Sequence, residues 1–104
     1  MIPLNPTDPH HHAAMAYDVE FSSTLWKHPG PGGWHFVTVP EQHAPSAAYA
    51  WGRTPVVASV DGHEWKTSVW REKTGRTLLA VPKAVRGARG DGDRVKVRLS
   101  FTIL

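Results

Sequence analysis

The sequence predicts a mostly β domain, a β-barrel with short helices, and three observations lead to this fold class. Apolar and polar residues alternate with a period of two in several stretches, most regularly over residues 94–103. Glycine- and proline-rich loops separate these stretches. An order of strand, loop, strand, Val-Pro, short helix and strand occurs twice, and each copy alone would leave an apolar sheet face in water. We therefore expect a pseudo-two-fold barrel of two tandem β-β-α-β units, with a helix capping each end.

The composition fits one domain with one core. The chain has 104 residues, of which 40% are hydrophobic and 20% are charged. It has no cysteine, which excludes disulfides, thiolate metal sites, iron–sulfur clusters and thiol nucleophiles. No run approaches the roughly 18 apolar residues of a membrane span, and no basic-then-apolar secretory signal opens the chain. These features predict a soluble, cytoplasmic protein with no membrane partner.

The first residues carry no strand or helix period, so residues 1–16 are predicted to be a flexible N-terminal tail. The single domain is then expected to span residues 17–104. Its first strand is predicted over 17–25, where apolar residues alternate with polar ones. Two prolines and three glycines in residues 27–33 cannot continue a strand and indicate a hairpin loop. The aromatic and β-branched residues 34–39 are typical of the returning strand.

Pro40 ends that strand and suits the first turn of a helix, where its missing N–H would have no partner in any case. Pro45 interrupts the helix five residues later. We therefore expect one helical turn, a break, and a second short helical piece that begins at Ser46.

The clearest hairpin of the sequence joins the last strand of the first unit to the first strand of the second. Asp61-Gly62 supplies the positive φ values of a two-residue type I′ turn between strands 56–60 and 63–70. Such a turn fixes the register and predicts the pairs Val60 with His63, Ala58 with Trp65, and Val56 with Thr67. A polar loop over 71–75 and a strand over 76–81 follow.

Pro82 begins the second predicted helix, which Gly90 is expected to terminate. At about 100° per residue, the small apolar side chains gather on one side and the cations on the other. The helix should therefore bury Ala84, Val85 and Ala88 and expose Lys83, Arg86 and Arg89. Residues 94–103 then form the last strand, with one buried and one solvated face.

Charge is unevenly distributed along the chain. The first 52 residues hold one basic and four acidic residues, a net charge of −3, whereas the remainder holds eleven basic and five acidic residues, a net charge of +6. An anionic partner should therefore meet the second half. Each cation alone is more easily explained as a solvated surface residue, and only the clustering favours binding. The candidate ligand- or phosphate-binding residues are Arg71, Lys73, Arg76, Lys83, Arg86 and Arg89.

Two motifs of the second unit suggest a family. The residues Gly75-Arg76-Thr77-Leu78-Leu79-Ala80-Val81-Pro82-Lys83, then Arg86 and Gly92-Asp93-Arg94-Val95, resemble the swapped-hairpin signature of AbrB-like transition-state regulators and MazE-type antitoxins. From Tyr17 to Phe101, including the stretch His28-Pro29-Gly30-Pro31-Gly32-Gly33-Trp34-His35-Phe36-Val37, the chain resembles an uncharacterised bacterial family, a domain of unknown function. The resemblance implies the double-split β-barrel fold, with two AbrB-like hairpin units in one chain. It implies no activity.

Three classes of function compete. The first is a small non-catalytic binding module, monomeric, that holds a small anionic ligand or a partner protein. The five tryptophans favour this class, because tryptophan often anchors a binding interface. Most of them are nevertheless expected to fill the core. The alternative is weak DNA binding through the basic second half, with phosphate contacts from the candidate cations.

An enzyme is the third class, and the sequence does not favour it. The residues that could form a triad lack a nucleophile-elbow context; they are Ser59, Ser68, His63 and Asp61. Ser59 and His63 should also face opposite sides of a strand pair. We expect neither catalysis nor a cofactor. The clustered histidines of the tail are expected to bind metal only adventitiously, because a defined site needs ligands on a fixed scaffold; they are His10, His11 and His12.

Overall fold

The computed structural model describes residues 15–45 and 52–103. These residues form seven strands: β1 (Met15–Thr24), β2 (Trp26–Lys27), β3 (His35–Val39), β4 (Arg53–Val60), β5 (His63–Arg71), β6 (Thr77–Ala80) and β7 (Arg94–Ile103). A turn of 3-10 helix covers Glu41–His43, and the α-helix α1 covers Lys83–Arg86. The predicted tail up to residue 14 and the helical piece expected at Ser46 lie outside the described residues.

The strands form one sheet in the order β1-β7-β4-β5-β6-β3-β2, in which neighbouring strands are antiparallel. The sheet is curled into a half barrel, so the predicted mostly β fold is confirmed. The strands at its two edges, β1 and β2, are separated in the chain by Leu25 alone. The chain therefore passes from one edge of the sheet to the other at this residue.

The first predicted strand is interrupted at Leu25, between the end of β1 and the start of β2. The Leu25 side chain is fully buried, and its backbone pairs with the loop before β7 instead of with a strand. The Leu25 N–H donates to the Asp93 carbonyl oxygen at 2.8 Å, and the Gly92 N–H donates to the Leu25 carbonyl oxygen at 2.8 Å. Both backbone groups are satisfied, so the interruption leaves no unpaired polar group.

The hairpin between β4 and β5 is confirmed with its register. Val60 pairs with His63, Ala58 with Trp65, and Val56 with Thr67. Asp61 has φ 48° and Gly62 has φ 91°, as the predicted turn requires. Strand β4 nevertheless begins at Arg53, three residues earlier than predicted.

The core lies on the concave face of the sheet. The last strand shows the predicted alternation: the odd positions of β7 from Val95 to Phe101 are buried, whereas Lys96 and Arg98 are exposed. Burial of these branched side chains is the main contribution to stability. The core residues are Leu25, Val37, Val39, Val56, Ala58, Val60, Val69, Leu79, Val81, Val95, Val97, Leu99 and Phe101.

The prediction for the second helix is wrong in its extent and its buried face. Helix α1 ends at Arg86, and Gly87 follows with φ 60°. Since a four-residue helix makes about one turn, its faces do not extend to residue 88. Ala84 and Ala88 are exposed, whereas Arg86 and Arg89 are half-buried. Only Val85 packs against the core as predicted.

In the part of the chain that the structure describes, no helix has the length and apolarity needed to cross a membrane.

Candidate functional site

The candidate cations of the second half differ in their partners and in the pockets that they line. Three of them form ion pairs with carboxylates of the same chain. Arg71 Nη2 lies 3.1 Å from Glu41 Oε2, Arg76 Nε lies 2.8 Å from Glu72 Oε1, and Arg89 Nε lies 2.9 Å from Asp61 Oδ2. Paired cations of this kind have part of their charge already compensated.

Two other candidates, Lys83 and Arg86, line one pocket of about 240 Å³. The remaining one, Lys73, is exposed in the loop between β5 and β6. The lining residues of the pocket are Gly32, Gly33, Trp34, His35, Val81, Pro82, Lys83 and Arg86. No carboxylate is among them.

The antiparallel pairing of β3 and β6 builds this pocket. The first residue of β3 and the residue after β6 are neighbours, and the Val81 N–H donates to the His35 carbonyl oxygen at 2.9 Å. The glycine-rich loop before β3 therefore meets the Val-Pro turn that begins α1. These two segments lie far apart in the sequence, and the strand pairing fixes their relative position.

Trp34 is the exposed wall of the pocket, with a relative accessibility of 59%. Its indole stacks on the ring of Phe36, with ring centroids 6.3 Å apart and an interplanar angle of 17°. The ring also lies against Gly32, where an added Cβ would come within 3.0 Å of Trp34 Cδ1. Gly32 has φ 98°, which L side chains rarely adopt, so both geometry and space require glycine here.

His35 is buried in the wall of the pocket, with a relative accessibility of 8%. Its Nδ1 lies 2.8 Å from the Gly33 carbonyl oxygen. Because a carbonyl oxygen only accepts, this contact assigns the proton to Nδ1, and Nε2 is the ring nitrogen left to accept a further hydrogen bond.

The cations of the pocket have unused bonding capacity. Lys83 is exposed and forms no ion pair with any residue in the described ranges. Arg86 is half-buried; its Nη1 donates to the Arg89 carbonyl oxygen at 3.1 Å, and its buried Nε–H finds no acceptor within the described residues. A buried donor without a partner costs free energy, and an anion nearby would favour both positive charges.

An aromatic cluster supports the pocket from the convex face of the sheet. Phe36 contacts Trp26 at a centroid distance of 5.1 Å and Trp70 at 5.8 Å. Trp26 Nε1 donates to Thr38 Oγ1 at 3.1 Å, and the Arg76 guanidinium lies 5.2 Å from the centre of the Trp26 ring. The platform beneath Trp34 is thus held by packing and by a hydrogen bond.

The expectation that most tryptophans are core residues needs a correction. Trp65 is half-buried and packs against the core, and Trp26 and Trp70 are half-buried on the convex face. Trp34 is exposed, because it follows the glycine turn and precedes the first residue of β3. Trp51 lies outside the described residues.

Two larger hollows, of about 350 and 340 Å³, lie over β4 and β7. The first is lined by apolar and polar side chains and by the cation Lys66, but by no exposed aromatic ring. The second contains Arg98, whose guanidinium is already hydrogen-bonded to Asp18. Neither hollow brings unpaired cations and an exposed aromatic ring together, so the smaller pocket is the stronger candidate.

Sequence reasoning singled out Lys83 and Arg86 but missed the other wall of the pocket, Gly32 to His35. A tryptophan placed directly after a turn-forming Gly-Gly pair is a poor core residue, and this signal could have indicated its exposure. Among the described residues, no three His, Asp or Glu side chains lie close enough to hold a metal ion.

The fold and the pocket define a small mostly β domain with an open, positively charged pocket beside an exposed indole. The chain belongs to the family DUF1905, a domain of unknown function. The family model matches residues 21–99. Both walls of the pocket lie within the matched range. A search of curated proteins found no match to the chain.

Proposed function

We propose that this domain is a small non-catalytic binding module that takes a small anionic ligand in the pocket between the glycine-rich loop and α1. The observation that carries the proposal is the pair Lys83 and Arg86, which line the pocket without a carboxylate partner. An anion there would form charge-assisted hydrogen bonds with both side chains, and these are stronger than neutral ones.

The contrast with the other candidate cations supports this choice of site. Arg71, Arg76 and Arg89 each have a carboxylate within 3.1 Å, so an incoming anion would compete with an existing ion pair. Lys73 lies in an exposed polar loop and lines none of the pockets described above. The buried Arg71 Nε–H also lacks an acceptor among the described residues, but its guanidinium already pairs with Glu41. Lys83 and Arg86 are therefore the candidates that combine an unpaired charge with a pocket.

DNA and a partner protein are the competing ligands. Duplex DNA needs several unpaired cations spread over one face, because its affinity comes mainly from phosphate contacts. The ion pairs of Arg71, Arg76 and Arg89 leave fewer unpaired cations for DNA phosphates. A small anion needs only the cations of the pocket. We place the small anion first for this reason.

We further propose that the chain consists of two matching units that resemble AbrB- and MazE-type hairpins, joined in one double-split barrel that is complete as a monomer. Equivalent strand pairings support this architecture. Trp26 pairs with Phe36 in the first unit, and Trp70 pairs with Leu78 in the second. Phe36 and Leu78 stand at the same place, three residues before the Val-Pro pair of their own unit.

The binding proposal is tested by titrating the full chain with inorganic phosphate in chloride-free buffer while recording amide chemical shifts. We expect saturable shifts at Gly32 to His35 and at Val81 to Arg86. The double variant Lys83→Gln/Arg86→Gln should lose these shifts. Lys73→Gln removes one positive charge outside the pocket and is the matched control; it should bind phosphate as the parent protein does.

Two results would overturn the proposal. One is the absence of saturable shifts, and the other is an equal loss of binding in Lys73→Gln, which would show a nonspecific charge effect. Fluorescence anisotropy with duplex DNA at low salt separates the alternative: tight DNA binding without phosphate binding in the pocket would favour the DNA function.

A further inference from the structure

Trp34 differs from the other described tryptophans in being both exposed and held in place. Phe36 supports one face of the indole, and the loop at Gly32 lies against its edge. A large aromatic surface fixed in this way is already arranged for stacking and loses little conformational freedom on binding.

We infer that the anionic ligand of this pocket carries a planar ring next to its anionic group, so that the ring stacks on Trp34 while Lys83 and Arg86 bind the anionic oxygens. This inference rests on the proposed function and adds the class of ligand to it. The relevant class is that of single-ring aromatic phosphates or carboxylates.

The chemistry of the pocket favours this class over a bare inorganic anion. A bare anion would use the two cations and leave the exposed indole in water. A ring with an attached anion would use both features, because the cations and Trp34 line the same pocket. Aromatic rings gain free energy from offset stacking in addition to the area that they bury.

The size of the pocket limits the ligand to a small molecule. A volume of about 240 Å³ is below the roughly 300–1,000 Å³ of pockets that bury drug-sized ligands. One ring with one anionic group fits such a space, whereas a larger ligand would project into solvent.

The test compares three probes with the full chain: phenyl phosphate, which has ring and anion; inorganic phosphate, which has the anion alone; and benzyl alcohol, which has the ring alone. Binding is followed by chemical shifts of the pocket amides and of the Trp34 indole N–H. Phenyl phosphate should bind about tenfold more tightly than inorganic phosphate, and benzyl alcohol more weakly than either.

Trp34→Ala should lower the affinity for phenyl phosphate by about tenfold and leave the affinity for inorganic phosphate unchanged, whereas Trp34→Phe should restore most of the loss. Tyr17→Ala is the matched control. Tyr17 is also exposed, at 41%, and also stacks on a phenylalanine, Phe101, at a centroid distance of 5.3 Å, but it does not line this pocket. Its removal should change neither affinity.

The outcomes separate this inference from the proposed function. Equal affinities for phenyl phosphate and inorganic phosphate, both unchanged in Trp34→Ala, would overturn the ring inference and leave the anion site intact. If neither phosphate binds, both proposals fail. A loss of phenyl phosphate binding in Tyr17→Ala as large as in Trp34→Ala would also overturn the inference. Circular dichroism of each variant verifies that the chain is folded.

Discussion

At both ends of the β3–β6 pair, a strand continues into a Val-Pro pair and then into a single helical turn. Pro40 has φ −56° and ψ 143°, and Pro82 has φ −66° and ψ 157°, so the backbone turns in the same way at both. The next residue is Glu41 at one end and Lys83 at the other. We call these the acidic end and the cationic end.

The two ends use their charges differently. At the acidic end, Glu41 pairs with Arg71, and the neighbouring loop pairs Arg76 with Glu72. At the cationic end, Lys83 and Arg86 line a pocket with no carboxylate. The comparison shows that one backbone design can either compensate a charge within the chain or leave it available for a ligand.

The largest expected effect comes from a residue that both ends share. Leu79 is fully buried in β6, where it pairs with Val37 and Val69. Leu79→Ala should lower the free energy of unfolding by about 2–5 kcal/mol, because it removes buried apolar surface and leaves a cavity. Urea denaturation measures the loss, and Lys66→Ala on the exposed face of β5 should change stability by less than about 0.5 kcal/mol.

The same variant tests whether the two ends fold as one unit. Amide hydrogen exchange in Leu79→Ala should accelerate alike at His43 and at Val85, whose N–H groups donate to the Pro40 and Pro82 carbonyl oxygens at 2.9 Å. Faster exchange at one end alone would show that the ends are independent, and the comparison between them would lose its common scaffold.

The next effect concerns ligand binding and uses one substitution at each end, a charge reversal at Lys83 and a charge removal at Glu41. Lys83→Glu should weaken phosphate binding by at least about tenfold, because a charge-assisted hydrogen bond contributes about 1.5–3 kcal/mol. Glu41→Gln should leave phosphate affinity unchanged and lower stability by less than about 1 kcal/mol, since its ion pair with Arg71 is exposed to solvent. Isothermal titration with inorganic phosphate measures both affinities. Because Glu41→Gln makes the chain more positive, tighter phosphate binding in this variant would indicate a long-range field rather than a local site.

The third prediction uses two glycines with nearly the same φ angle. Gly32 has φ 98° and Gly75 has φ 97°, but a Cβ at Gly32 would meet the Trp34 ring, whereas a Cβ at Gly75 would meet nothing within 4 Å. Alanine at either position should lower stability by about 1–2 kcal/mol through backbone strain. Gly32→Ala alone should shift the Trp34 indole N–H resonance and weaken binding of phenyl phosphate. If Gly75→Ala produced the same shift, the contact between Gly32 and Trp34 would not be the cause.

Much of the fold follows from local pattern. The Asp61-Gly62 turn fixes the register of β4 and β5, since a two-residue hairpin permits one pairing only, and the alternation in β7 identifies its buried face. The interruption at Leu25 could not be predicted in this way. It depends on backbone hydrogen bonds to Gly92 and Asp93, which lie at the other end of the sequence.

The candidate site was predictable only in part. Charge in the second half pointed to Lys83 and Arg86, but it pointed equally to Arg71, Arg76 and Arg89. The carboxylate partners of Arg71 and Arg89 are distant in the sequence, and the contact between Arg76 and Glu72 depends on the conformation of the loop between them. Trp34 enters the site because β3 and β6 are neighbours. Local alternation does not determine which strands of a sheet are adjacent.

The smallest expected effect tests whether a further compensated charge, Arg98, behaves like the acidic end. Arg98 donates from Nε to Asp18 Oδ1 at 2.8 Å, and this hydrogen bond lowers the pKa of Asp18 below its usual 3.8. The folded state therefore binds a proton less readily than the unfolded state, so the stabilisation is present above pH 4 and is lost as the pH falls through the lowered pKa. Asp18→Asn should lower the thermal midpoint slightly at pH 7, and the difference from the parent protein should shrink at pH 2. Its phosphate affinity should equal that of the parent, because Asp18 and Arg98 lie outside the pocket. A difference in midpoint that is unchanged at pH 2 would show that the pair stabilises the fold through packing rather than through charge.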